Sequence, residues 1–201
     1  MVKSRRWMLL VAVAGGTAMA AALAAQQPGR VATPVKDPVI ARGEYLAHIA
    51  GCNDCHTPLK MGPKGPEPDM TRMLSGHPEN MVMPPAPALA PDAPWNWAGA
   101  ATSTAFAGPW GISYSRNLTP DKETGLGNWT EEQFVRALRT GRHQGNPNGR
   151  MILPPMPWPS VSQMTDEDLH AVWTFLRAVP AVRNDAPQSI PAPPPPASAK
   201  H

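Results

Sequence analysis

Five consecutive residues constrain this chain more than any others: Cys52-Asn53-Asp54-Cys55-His56, which contains the only two cysteines in 201 residues. Two thiols separated by two residues, with an imidazole next in line, must do chemistry together. A disulfide between them would close too short a loop to act as a structural staple.

Four chemistries compete for such a run. A thioredoxin-like redox pair calls for a strand before the motif and a parallel sheet around it. The residues before Cys52 instead carry a helical pattern. A zinc site calls for further ligands at usable spacing, and there is no second cysteine pair. Ile49-Ala50-Gly51-Cys52 resembles a lipid-acceptor sequence, but Arg42, Glu44 and His48 lie where an uncharged segment is required. The remaining reading is the attachment signature of a c-type haem. Its spacing lets two thiols meet two vinyl groups on one edge of the macrocycle while the next residue faces the iron.

The N-terminus supports a reading outside the cytoplasm, where such maturation occurs. Lys3, Arg5 and Arg6 precede an apolar run from Trp7 to Ala25, and Ala22-Leu23-Ala24 fits a small-x-small cleavage site. Residues 1–24 are expected to be a signal peptide, with an uncleaved membrane anchor as the alternative. Those three cations account for the whole formal surplus of +3. The rest is neutral, without a basic patch for nucleic acid.

After a lead-in over 25–36, the domain is expected over 37–183. Asp37 followed by Pro38 marks a helix start, and Val39, Gly43, Leu46 and Ala50 continue it to about residue 51. Residues 57–110 hold eleven prolines and no clean periodicity. So long an irregular segment makes sense wrapped around a large apolar cofactor. Thr130 and Gln133 form a capping box, Phe134, Val135 and Leu138 a buried stripe, and Gly141 a stop. A last helix starts at Thr165, buries Leu169, Val172, Trp173 and Leu176, and stops at Pro180. From Asn184 the Pro/Ala-rich chain is expected to be an extended, poorly ordered tail over 184–201.

The iron needs a second axial ligand. Met156 lies in Leu153-Pro154-Pro155-Met156-Pro157, where prolines restrict the backbone on both sides. Met151, Met164, His143, His77 and His170 are the competitors. Met61, Met70, Met73, Met81 and Met83 read as core filler.

In this order the chain resembles class I cytochromes c, above all the haem domains of bacterial alcohol and gluconate dehydrogenase cytochrome subunits. The matching stretches are Cys55-His56-Thr57-Pro58, Asn117-Leu118-Thr119-Pro120-Asp121, Thr124 to Phe134, and Pro155-Met156-Pro157. The resemblance spans about residues 38–182, apart from an insertion over roughly 62–105. It implies an all-α fold around one covalent haem c. Cys52 and Cys55 would form thioethers, with His56 proximal and Met156 distal on the iron. Gly43 would lie where the first helix crosses the last, against Phe175 or Trp173. Asn117 would lie near the haem edge or propionates, or else serve as a turn residue. The insertion would cover the haem or form a partner surface.

The expected function is electron transfer by a mono-haem periplasmic cytochrome rather than catalysis. Its partners would be redox proteins such as a dehydrogenase, an oxidase or another cytochrome. Membrane association would come through the N-terminal segment. A haem enzyme or gas sensor with a displaceable distal ligand is the rival reading.

Overall fold

Asp37 opens the first helix as its side chain accepts from the Val39 N–H at 2.8 Å, with Pro38 at the first helical position. The computed structural model describes residues 36–87 and 94–192. The expected signal or anchor, nearly all of the lead-in and the final residues of the tail lie outside them. No described helix is long and apolar enough to cross a membrane.

Helix α1 spans Pro38–Ile49. Gly51, at φ 72°, turns the chain in the left-handed region before a single-turn helix α2, Cys52–His56. Helix α3, Glu131–Thr140, has both bonds of the expected capping box, and Gly141 ends it at φ 66°. A short helix α4, Trp158–Val161, follows the Pro157 junction. Helix α5, Asp166–Ala178, is capped by Thr165 and buries Leu169, Val172, Trp173 and Leu176 as expected, with Ala171 and Phe175 beside them.

Helix α1 crosses α5 at Gly43. A Cβ there would overlap the Ala171 carbonyl and come within 2.8 Å of Phe175 Cβ. Hydrogen removes that obstacle, so the two backbones touch. Leu46 and Ala47 then join Leu169, Val172 and Leu176 in the core. Phe134 of α3 stacks at 5.4 Å, tilted, on Trp173.

The all-α expectation is wrong. Alongside five helices, six strands form two antiparallel sheets among the described residues. Strands β1, Leu59–Gly62, and β2, Gly65–Pro68, make a hairpin. Strands β3 (Ala98–Gly99), β4 (Ala105–Gly108), β5 (Gly111–Tyr114) and β6 (Ile190–Pro191) form a second sheet in that order. The strands are two to four residues long, too short for alternation to register. The missed signal is a turn. Gly62-Pro63-Lys64-Gly65 and Gly108-Pro109-Trp110-Gly111 each place proline at the second position and end on a positive-φ glycine, at 119° and 99°.

Two further expectations need correction. Met61, Met70 and Met81 do not fill a core; Met61 is 77% exposed and Met70 62%. The segment from Asn184, expected to be poorly ordered, is instead tied down as far as Ala192. Asn184 is fully buried, and its amide donates to the carbonyls of Ser75 at 2.7 Å and His77 at 2.8 Å. Its oxygen accepts from Arg72 and from the Glu79 N–H. Proline prevents a helix here but leaves the chain free to lie extended along β5.

Gly43→Ala is expected to destabilise the fold by about 3 kcal/mol, because two rigid helix backbones would have to separate. Denaturant unfolding should show a lower midpoint with an unchanged slope.

Candidate cofactor site

The first feature of the site is the placement of one imidazole. His56 is buried, and its Nδ1–H donates to the Arg116 carbonyl at 2.7 Å. A carbonyl can only accept, so Nδ1 carries the hydrogen and Nε2 keeps its lone pair. Burial pushes the imidazole pKa down against the opposing effect of that hydrogen bond. The ring is thus held neutral and oriented, the form that ligates metals.

The segment supplying the carbonyl is held from behind by the insertion. The Gly76 N–H donates to the His56 carbonyl at 2.7 Å, the His77 N–H to Ser115 at 2.9 Å, and the Leu118 N–H to Leu74 at 2.8 Å. Gly76, at φ 80°, is required there, because a Cβ would collide with the Ser115 and Arg116 carbonyls. The Thr57 hydroxyl accepts the Leu74 N–H and donates to Asn53, linking the haem-type motif to the same segment.

Cys52 and Cys55 are free thiols on α2. Burial pushes Cys52 up to about 11, and burial followed by the Asp54 charge raises Cys55. Neither is primed as the thiolate that a thiol–disulfide protein uses. Among the described residues no three His, Cys, Asp or Glu side chains gather as a metal cluster. The two thiols and the imidazole therefore do not converge as zinc ligands.

They do share a cavity of about 330 Å³ with Met156. Leu118, Leu126, Phe134, Leu138, Val172 and Leu176 give it a largely apolar wall. Its lining omits every described residue from 57 to 105. The described part of the insertion backs the segment that holds His56, and it does not line the cavity as a cover would.

Met156 is partly buried against the core cluster. Its loop is anchored on both sides: the Ile152 N–H donates to Gly141 at 2.8 Å, and the Ser113 hydroxyl donates to the Pro154 carbonyl at 2.6 Å. The competitors fall into two groups. Met164 and His143 also line the cavity. Met151 does not, and is 43% exposed. His77 is buried elsewhere, with its ring nitrogens on Thr104 Oγ1 and the Met81 carbonyl. His170 pairs with Glu131 on the surface. His143 packs edge-on to Trp129 at 5.1 Å.

Asn117 borders the cavity, but its polar atoms are spent within the protein. Its amide donates to Thr124 Oγ1 and the Val182 carbonyl, and its oxygen accepts from Thr119 N–H and Oγ1. These bonds shape the 117–119 turn and pin the segment after α5 to it. Sequence reasoning missed Arg116 and Arg150, which also line the cavity. Neither sits in a motif that spacing alone could flag.

Ser113→Ala should remove the anchor of the Met156 loop at a cost of about 1–2 kcal/mol. Hydrogen exchange should quicken at Ile152, and the α1–α5 core should stay protected.

Comparison with known proteins gives the same picture. No family model matches the chain. It is 31% identical over 138 residues to the cytochrome c subunit of quinone alcohol dehydrogenase from Gluconobacter oxydans (strain 621H), covering 69% of this chain and 21% of that protein. To the gluconate 2-dehydrogenase cytochrome c subunit of Pantoea cypripedii it is 30% identical over 186 residues, covering 92% of this chain and 32% of that one. To the fructose dehydrogenase cytochrome subunit of Gluconobacter japonicus it is 31% identical over 139 residues, covering 69% and 21%. The chain spans about a fifth to a third of the length of these curated relatives. With its motif, cavity and likeness to all three, the chain resembles the cytochrome domains of alcohol, gluconate and fructose dehydrogenase cytochrome c subunits.

Proposed function

We propose that this chain carries one covalent haem c and passes electrons between redox proteins outside the cytoplasm, in a single haem domain over 37–183 extended by its packed tail. The observation that carries the reading is the shared cavity: two thiols and an oriented neutral imidazole, with a thioether in the same apolar lining.

That donor set fits the group. Cys52 and Cys55 would hold one edge of the macrocycle, His56 Nε2 would ligate the iron, and Met156 would complete it. When bound, the group supplies one-electron chemistry. The chain contributes the rest. The apolar wall excludes water, the Arg116 carbonyl fixes the imidazole, and Ser113 and Gly141 hold the methionine loop. With both axial positions filled by protein, electron transfer is favoured over substrate binding. The relatives are cytochrome subunits of dehydrogenases, which supports a dehydrogenase as the electron donor. The N-terminal segment supports a periplasmic location, by export or as an anchor.

Expression with haem-maturation machinery should give one haem per chain that survives denaturing electrophoresis. A Cys52→Ala, Cys55→Ala double variant should lose it. Haem extracted from the wild type by acid solvent would sink the proposal.

Met156→Ala should keep covalent haem, lose the optical signature of thioether ligation, and show a lower midpoint potential. Met164→Leu and Met151→Leu should change neither property. A wild-type spectrum in Met156→Ala would reassign the ligand to Met164 or His143. Fast carbon monoxide binding by the ferrous wild type would favour the enzyme or sensor reading.

A further inference from the structure

His77 is a histidine that the proposed cofactor chemistry leaves unused. It is fully buried in the insertion and does not line the cavity. Its ring packs tilted on Tyr114, 5.0 Å between centroids. Nε2 lies 3.2 Å from the Met81 carbonyl, which can only accept, so Nε2 carries the hydrogen. Nδ1 is left as an acceptor, and the Thr104 hydroxyl donates to it at 2.9 Å. Thr104 Oγ1 in turn accepts from the Thr102 hydroxyl at 2.8 Å. One tautomer thus sets the direction of every bond in this buried chain.

The same residues close a ring. The His77 N–H donates to the Ser115 carbonyl at 2.9 Å, and the Ser115 N–H donates to the Thr104 carbonyl at 2.9 Å. The Thr104 hydroxyl then returns to His77 Nδ1. Both polar groups of the Ser115 backbone are therefore held by partners that His77 fastens to each other. The next carbonyl along the chain is that of Arg116, which accepts the His56 Nδ1–H at 2.7 Å.

We propose that His77 is a positioning residue for His56: through Thr104 and Ser115 it holds the Arg116 carbonyl on the imidazole that the haem reading, on which this rests, makes an axial ligand. The role needs Nδ1 as an acceptor, so it belongs to the neutral ring. The charged and titratable side chains on the elements around it are Tyr114 and Arg116 on one side, Arg72 and Glu79 on its own segment, and Arg183 and Asp185 after α5. Arg72 is bonded to Asn184, Glu79 to Arg183 and the Asp185 N–H, and Asp185 acts on Arg116. None of them bonds to the ring, whose partners are Thr104 and Met81. A proton at Nδ1 would place an unpaired charge in the interior and reverse the Thr104 bond. Burial accordingly lowers the proton affinity of His77, against the opposing effect of the Met81 bond. A histidine of this kind contributes its stability above the ordinary value of about 6.5 and loses it as pH falls below that value.

The test uses the full chain with haem attached. Amide protection, the His56 Nδ1–H resonance of the ferrous protein and the midpoint potential are followed from about pH 8 to about pH 4. Thr104→Val removes the hydroxyl without changing any charge. It should lower protection at the His77 and Ser115 amides by roughly tenfold while α5 stays protected. It should also shift the His56 resonance and raise the potential at neutral pH, because a weaker bond at Nδ1 makes the imidazole a poorer donor to ferric iron. Thr104→Ser should restore wild-type behaviour. In the wild type the same changes should set in as pH falls below about 6.5. In His77→Asn, which keeps a side-chain acceptor but does not titrate, that acid step should be absent. His170→Gln, a change at a surface histidine, should leave the step in place. Lower protection in Thr104→Val with an unmoved His56 resonance and potential would make His77 merely structural and overturn the proposal. An acid step that survives in His77→Asn would also overturn it, with the haem reading intact. Absence of covalent haem from the wild type would overturn the haem reading and the axial role together.

Discussion

The bond from His56 Nδ1–H to the Arg116 carbonyl is the interaction on which the site depends. It selects the tautomer and sets the direction of the free nitrogen. It also requires residues 60 positions apart to be held in register. That requirement explains several features that otherwise look unrelated. The Leu74–His77 segment backs the 115–118 backbone, Gly76 gives it room to lie flat, and Thr57 ties it to the motif. The insertion is a support for one carbonyl. A neutral hydrogen bond contributes only about 1 kcal/mol, so its value lies in orientation, and the surrounding ladder supplies the rigidity.

The three long helices, α1, α3 and α5, were legible because each announces its own start. Asp37-Pro38, Thr130 with Gln133, and Thr165 are local signals satisfied by local bonds. Gly43 was legible through the resemblance, and the close approach of Ala171 and Phe175 gives its reason. The strands were not legible, because they are too short for a periodic pattern, and one of them depends on a distant partner. Strand β6 pairs with β5 across roughly eighty residues of sequence, a relation that no window can contain.

At the site, the residues with distinctive chemistry were readable and those with ordinary chemistry were not. Cys52, Cys55, His56 and Met156 stood out by motif and by proline context, and they share one cavity. Asn117 was noticed as a loop residue, and its side chain is bonded to Thr119, Thr124 and Val182. Arg116 and Arg150 look like any surface arginine until the fold brings both to the cavity.

The route of the chain after α5 has a consequence for assembly. The motif that begins the cavity is at residue 52, whereas Ser189, another lining residue, is near the end of the described chain. Asn184 locks the two regions together by bonds spanning more than a hundred residues. A nascent chain emerging from its N-terminus therefore exposes both thiols long before it can close the pocket around them. Contacts so distant in sequence form late. The order of synthesis leaves an interval in which both cysteines are accessible, and completion of the tail brings that interval to an end.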